Sequence, residues 1–385
     1  MTGTIATKDL TISNPLVTTK VYDGTTTAAL TGTLNGVIAA DASFVSLSTL
    51  TGTFASANAG TGIAVTPAYA ISGTKAANYS LIEPTGMTGG INKALLTLTT
   101  SDVVKVYNGT TSVAGASTAP SLVVTSGTLY ANASNGGVID SVSGGTFAFT
   151  NANAGVGNKA VTVSNATVTD GNGGGNYTVS YANNTTSTIN PAALTLSTSN
   201  VVKTYDGTLS VAGATTAPAL TVTSGTLYAN ASNGGATDAV TGGSFAYTDA
   251  NAGTGNKTVT VSGATFSSGN AGNYTVSYAN NTTSTINTAT PTLTGLSNQN
   301  KTVGAANFTL AANSNSVGAV TYTSSDPTVA AVNPATGEVT VVAAGNATIT
   351  AAQAANGNYA LGNATYTLTV SAAPPPARRP AAPRA

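Results

Sequence analysis

The chain has 385 residues, enough for several domains with cores of their own. Only 6% are charged, with Lys+Arg 12 and Asp+Glu 12, against roughly 25% in ordinary soluble domains; this removes any electrostatic pull toward nucleic acid or an anionic membrane. The lack of His and Cys excludes the usual serine triads, thiol nucleophiles, nearly all zinc sites and disulfides, while 41% hydrophobic residues argue against disorder.

Thr, Val, Ser, Asn and Gly dominate, which penalises helix and favours strands separated by turns. The first residues, Met1 to Lys8, lack a basic start followed by an apolar run, and no stretch reaches the roughly 18 apolar residues of a membrane span. No direct membrane insertion is expected, and the chain reads as a fragment or as one whose export signal lies upstream.

Along the chain, Lys20-Val21-Tyr22-Asp23-Gly24-Thr25-Thr26 returns as Lys105-Val106-Tyr107-Asn108-Gly109-Thr110-Thr111. The sixteen residues from Leu122 return at Leu220 with one substitution, and Tyr107 maps to Tyr205, a step of 98. Asn78-Tyr79 matches Asn176-Tyr177, and Ile91-Asn92 matches Ile189-Asn190 and Ile286-Asn287. This spacing places units at 1–92, 93–190 and 191–287, a different module at 288–371 and a disordered Pro/Ala/Arg tail at 372–385, which carries Arg378, Arg379 and Arg384.

Phe147-Ala148-Phe149, Val161-Thr162-Val163, Tyr177 to Tyr181 and Leu194-Thr195-Leu196 alternate larger apolar with small or polar residues, the pattern of half-buried strands. Asn135-Gly136-Gly137 and 171–175 supply positive φ for turns between them. The fold class expected is all-β, as tandem immunoglobulin-like β-sandwich repeats of six to eight strands in an elongated row. A β-solenoid ranks second because no period of twenty to thirty residues is visible. Thr188 to Leu196 runs from one unit into the next without a flexible linker; a semi-rigid row of four units, spanning roughly 150 Å, is expected.

The Lys-Val-Tyr-Asp-Gly-Thr-Thr motif, followed by Asn-Tyr and Ile-Asn, resembles the YDG and related MBG-type repeats of filamentous-haemagglutinin-like adhesins of Gram-negative bacteria, over roughly residues 8–290. Asn108 departs from the motif's aspartate. The fourth module, with Tyr322 to Ala330, Gly337 to Val341 and Gly345 to Thr350, resembles a bacterial immunoglobulin-like domain of group 2. The resemblance implies secretion, surface display and a repeat stalk, and it brings no catalytic residue. The family's secretion domain, wall-sorting signal and translocator barrel are not recognisable in the sequence.

Comparison of the two close copies tests the acidic residues for chemistry. Asp102 becomes Asn200, Asn108 becomes Asp206, Asn151 becomes Asp249 and Asp170 becomes Ser268; only Asp140 and Asp238 agree. A general acid or a metal ligand needs its charge, whereas a turn accepts Asp, Asn or Ser through the same hydrogen bond. Turns are therefore expected, with no catalytic residue, cofactor or metal; calcium at Asp23 and Asp206 is the sharper alternative. Tyr-Asp-Gly itself reads as a hairpin turn whose tyrosine plugs the sandwich and sends its hydroxyl to a backbone group.

The function expected is a non-enzymatic stalk of a secreted bacterial surface adhesin, outer-membrane associated through other regions. The alternative is a module binding host or bacterial surface glycans or proteins through Asn/Tyr-rich loops such as Tyr130-Ala131-Asn132-Ala133-Ser134-Asn135. Edge strands without lysine gatekeepers must be covered, or they pair with neighbours and give self-association.

Overall fold

The computed structural model describes residue 3 and residues 5–375. The expected tail lies outside the described residues from 376 onward. Secondary structure among them is β throughout, with five short 3-10 turns and no α-helix, so no helix is long and apolar enough to cross a membrane. Two compact units divide the chain. One holds Met1–Ala192 with Tyr228–Asp238 and Gly269–Tyr274; the other holds Ala193–Leu227, Ala239–Ser268 and the chain from Thr275. The third repeat thus contributes to both.

In the first repeat, seven strands join into one sheet: β1 (Lys8–Val17), β2 (Lys20–Val21), β3 (Thr27–Asn35), β4 (Ser46–Phe54), β5 (Gly60–Ser72), β6 (Tyr79–Leu81) and β7 (Thr88–Asn92), in the order β2-β7-β5-β4-β3-β1-β6. The join is made by β3, which pairs with β4 at Thr27–Ala29 and with β1 from Leu30 onward. Tyr22, Leu30, Phe54 and Ile91 fill the space inside, none more than 4% exposed.

In the second repeat the segment corresponding to β3 is broken by residues 113–121, with a left-handed Gly115 and with Pro120, and the sheet splits in two. Its strands are β8 (Ala94–Thr100), β9 (Val104–Val106), β10 (Leu122–Ser126), β11 (Ala131–Asn132), β12 (Val138–Ile139), β13 (Ser141–Phe149), β14 (Gly155–Thr169), β15 (Tyr177–Tyr181) and β16 (Asn184–Asn190). They form β10-β8-β15, β13-β14-β16-β9 and a small hairpin β11-β12. Alternation decides the faces: Ala94, Leu96 and Leu98 point inward from β8 while Leu95 is exposed, and Val161 and Val163 are buried on β14. The edge strand β13 carries Gly144 and Gly145 in left-handed conformation, and its register with β14 is kept across the unpaired Gly145; near its end Ala148 is bridged by Ser112, which covers part of this edge.

One residue separates consecutive repeats, Lys93 between β7 and β8 and Pro191 after β16. In the second unit, the third repeat repeats the 3 + 4 strand arrangement, around Val201, Tyr247, Val259 and Ile286. The last module packs a four-stranded sheet, with Gly345–Gln353 and Gly362–Ser371 at its centre, against a three-stranded one. Ala347, Ile349, Tyr366, Leu368 and Val370 alternate inward to form its core.

Candidate functional site

The residues with chemical potential gather where one repeat meets the next. Tyr22, ahead of Asp23-Gly24, is 1% exposed; its hydroxyl donates to Oδ2 of Asp140 in the second repeat at 2.8 Å. Tyr177 donates to the same oxygen at 2.6 Å, and its ring meets Tyr22 edge-on with centroids 5.3 Å apart. Tyr130 closes the other side at 5.7 Å. Asp140 is 2% exposed, and its Oδ1 is buried with no hydrogen-bond partner among the described residues. The two phenols therefore stand in for the water a buried carboxylate loses. Burial first, and the Asp140 carboxylate second, push the Tyr22 and Tyr177 hydroxyls far above the ordinary phenol range, so both remain donors.

The contact continues along the backbone. In the Ala57-Asn58-Ala59 loop of the first repeat, the Ala57 N–H donates to Ser134 Oγ at 2.7 Å and the Ala59 N–H to Asn176 Oδ1 at 2.9 Å. Asn132 and Asn176 both donate to Asn58 Oδ1. Gly24 sits at φ +77° with its carbonyl accepting from the Ala133 N–H, and a Cβ there would lie 2.2 Å from the Ala131 carbonyl oxygen. Only glycine supplies both the left-handed conformation and the space.

The same joint recurs in the first unit with the segments that the third repeat contributes to it. Tyr107 donates to Asp238 Oδ2 at 2.6 Å, Tyr274 donates to that oxygen at 2.9 Å, and Tyr107 lies edge-on to Tyr274 and Tyr228. Ala152 N–H donates to Ser232 and Ala154 N–H to Asn273. Burial foremost lifts the Tyr274 hydroxyl to about 12. In the second unit, Tyr205 meets Tyr359 of the last module edge-on at 5.5 Å, Ala252 N–H donates to Asn358 Oδ1 at 2.7 Å, and Asn358 donates to Asn251.

Three expectations are corrected here. Tyr-Asp-Gly is not a hairpin turn, because β2 pairs with β7 and β3 with β1 and β4; Asp23 instead folds its carboxylate onto the Thr25 N–H. The Tyr22 hydroxyl reaches a side chain of the next repeat, not a backbone group. Asp140 and Asp238, the one acidic pair that agrees between copies, are not turn residues but buried tyrosine acceptors.

At one of the exchanged positions a carboxylate and an amide accept from the same pair of donors. Asp102 accepts from Asn184 and Thr186, as Asn200 does from Asn281 and Thr283. Asp170 closes its glycine loop by accepting from the Asn172, Gly174 and Asn176 N–H groups. Asn151 and Asp249 each take a lysine, Lys159 and Lys257.

At the proposed calcium positions the cation is the chain's own ammonium. Lys203, 1% exposed, donates to Asp206 Oδ1 and to the Thr208 and Ser210 carbonyls at 2.7–2.9 Å, and this pairing holds the Asp206 carboxyl down at about 2. Lys20 does the same for Asp23, whose burial would raise it but whose Lys20 and Thr25 partners keep it low. Lys105 has identical carbonyl partners but only the neutral Asn108 amide, and burial lowers its ammonium to about 8. The loop offered as a sugar-binding surface is spent in the joint: Asn132 is fully buried, Tyr130 stacks on Tyr22 and Ser134 holds Ala57.

All-β repeats in tandem, with a tyrosine corner that recurs within each compact unit, define a modular repeat protein. The YDG domain family matches residues 6–87, 92–186 and 190–285, and the bacterial Ig-like domain (group 2) family matches residues 301–361. The chain belongs to the YDG domain family, with one Ig-like module after its three repeats; both are non-catalytic domain families. Among solved structures, Drosophila N-cadherin EC1-4 is similar over 55% of this chain and 58% of its own, at 9% identity and a TM-score of 0.20. The S-layer protein rSbsC is similar over 95% and 55%, at 16% identity and a TM-score of 0.19. A SusE-like surface located polysaccharide binding protein from Bacteroides thetaiotaomicron is similar over 96% and 53%, at 12% identity and a TM-score of 0.16. The chain thus spans between 53% and 58% of the length of these three. Among curated proteins, none matches.

Proposed function

We propose that this chain is a non-enzymatic repeat region of a secreted bacterial surface adhesin, which serves adhesion by spacing a separate binding region from the cell and contributes to aggregation through its own self-association. The observation that carries the reading is the use of the signature residues. Tyr22, Tyr107, Asp140 and Asp238 are at most 2% exposed and are consumed in holding one repeat to the next. A chain that commits its aromatic and acidic side chains to its own joints works through the continuity of those joints. The YDG and bacterial Ig-like matches fit a surface or adhesin-like role.

The competing reading, glycan or host-protein capture through the Asn/Tyr loops, loses Tyr130, Asn132 and Ser134 to the first joint. Two experiments separate them. Antibodies against the chain should label intact cells, and the purified chain should give no signal on a glycan array or in a host-cell adhesion assay. Specific, saturable capture of one glycan or receptor would replace the spacer reading with the binding one. Concentration-dependent sedimentation tests the contribution to aggregation, and strictly monomeric behaviour at high concentration would remove it.

A further inference from the structure

Asn-Tyr occurs four times, at 78–79, 176–177, 273–274 and 358–359. In the last three the asparagine Oδ1 accepts an alanine N–H from an Ala-Asn-Ala loop, at 2.9 Å from Ala59, 2.8 Å from Ala154 and 2.7 Å from Ala252. Its Nδ2 returns to the loop asparagine, Asn58, Asn153 or Asn251, at 3.0–3.2 Å. The adjoining tyrosine lies edge-on to the tyrosine of the Tyr-Asp/Asn-Gly turn with centroids 5.3–5.5 Å apart. Asn358 and Tyr359 make these contacts from a module of a different family, so the pair does not depend on the YDG fold behind it.

The first corner has the same internal construction. Asn78 ends a 3-10 turn, Ala76–Asn78, as Asn273 ends Ala271–Asn273. The Tyr79 hydroxyl donates to Asp41 at 2.8 Å and accepts from the Ile38 N–H at 3.2 Å, as Tyr177 donates to Asp140 and accepts from the Tyr130 N–H. The outward half differs. Asn176 and Asn273 are fully buried, whereas Asn78 is exposed and its amide has no partner among the described residues; Ile38, standing where Tyr130 stands, is 50% exposed.

We propose that the Asn78–Tyr79 corner is a docking plug whose partner is the Tyr-Asp-Gly end of another YDG-type repeat. That partner offers an alanine N–H and an asparagine amide to Asn78, while Tyr79, 6% exposed within its own repeat, holds the corner in shape. The geometry of the three occupied corners carries this docking independently of any stalk role.

The test replaces residues 1–6 of the full chain with a second copy of residues 93–190. Thr7 is then the single residue before Lys8, as Lys93 and Pro191 are at the native junctions. Hydrogen exchange at the Ala154 amide of the added copy is read by NMR, with and without Asn78→Ala. With Asn78 present this amide should exchange at least about tenfold more slowly than in the Asn78→Ala chain, while the Val161 amide of the copy stays equally protected in both. Asn78→Asp, which keeps the acceptor and loses the donor, should fall between them. Equal exchange at Ala154 in all three chains overturns the proposal. So does a copy whose core amides exchange freely, since the native second repeat folds with the same kind of neighbour on that side.

Discussion

Replacing Asn108 by Asp gives the second repeat the ion pair that the third already has. Lys105 is 2% exposed and its ammonium is bound by an amide oxygen and two carbonyls, with no carboxylate; burial lowers it from 10.5 to about 8. At about 1.4 kcal/mol per pH unit, that difference corresponds to ~3 kcal/mol of cost for keeping the ammonium charged near neutrality. The sign follows from proton counting: between pH 8 and 10.5 the unfolded chain holds a proton that the folded chain has released, so wild-type stability rises with pH through that window. In Asn108→Asp the new carboxylate adopts the place of Asp206, 2.7 Å from its lysine. Because Asp206 remains 43% exposed, only part of the cost is recovered, about 1–2 kcal/mol at pH 7. Native-state hydrogen exchange of β14 amides reports the opening free energy of this repeat alone. Asn108→Asp amides that are unchanged or less protected at pH 7, or wild-type protection that does not rise between pH 8 and 10, would show that the Lys105 ammonium carries no such cost.

Other perturbations separate the joints from the repeat interiors. Ala at Gly24 or Gly109 places a methyl group 2.2 or 2.1 Å from a carbonyl oxygen of the following segment, whereas at Gly207 the nearest atom is the Tyr205 hydroxyl at 3.8 Å. All three share φ +77°, so Gly207→Ala should cost about 1 kcal/mol for the conformation and the other two clearly more, by denaturant unfolding. Lys203→Met should bring the Asp206 carboxyl up from about 2 toward the ordinary carboxylate range in an NMR titration; the stability this pair provides is present above the unfolded value and lost as pH falls through the folded one. Leu196→Ala, at a fully buried position in the third repeat, should cost about 2–5 kcal/mol while leaving the β8 and β14 amides of the second repeat protected.

Much of this architecture is legible in the sequence because alternation and repetition are local signals. Val161 and Val163 are buried where their spacing puts them, and the Asp102/Asn200 exchange, read as a turn position, keeps the same two side-chain donors in both copies. The joints are not legible in the same way. Tyr22 and Asp140 are 118 residues apart, and Tyr107 and Asp238 are 131 apart, so no spacing rule links them. Tyr-Asp-Gly misleads because its strongest local reading is a hairpin, while the flanking strands pair elsewhere. Two signals pointed to the joint: Asp140 and Asp238 keep their charge where the other acids do not, and Asn-Tyr persists into a module of another family. The lysine that fills the Asp23 and Asp206 positions was likewise in view, three residues before each aspartate.

The tyrosine of one repeat and the aspartate of the next act as a single energetic unit. A double-mutant cycle with Tyr107→Phe and Asp238→Ala measures it directly in the full chain. Asp238 Oδ2 takes both phenols and its Oδ1 has no donor among the described residues, so each single change should expose the loss of the other's partner. The predicted coupling is about 1–3 kcal/mol between positions in different repeats. Additivity within about 0.5 kcal/mol would contradict it and reduce the joint to two surfaces that merely touch.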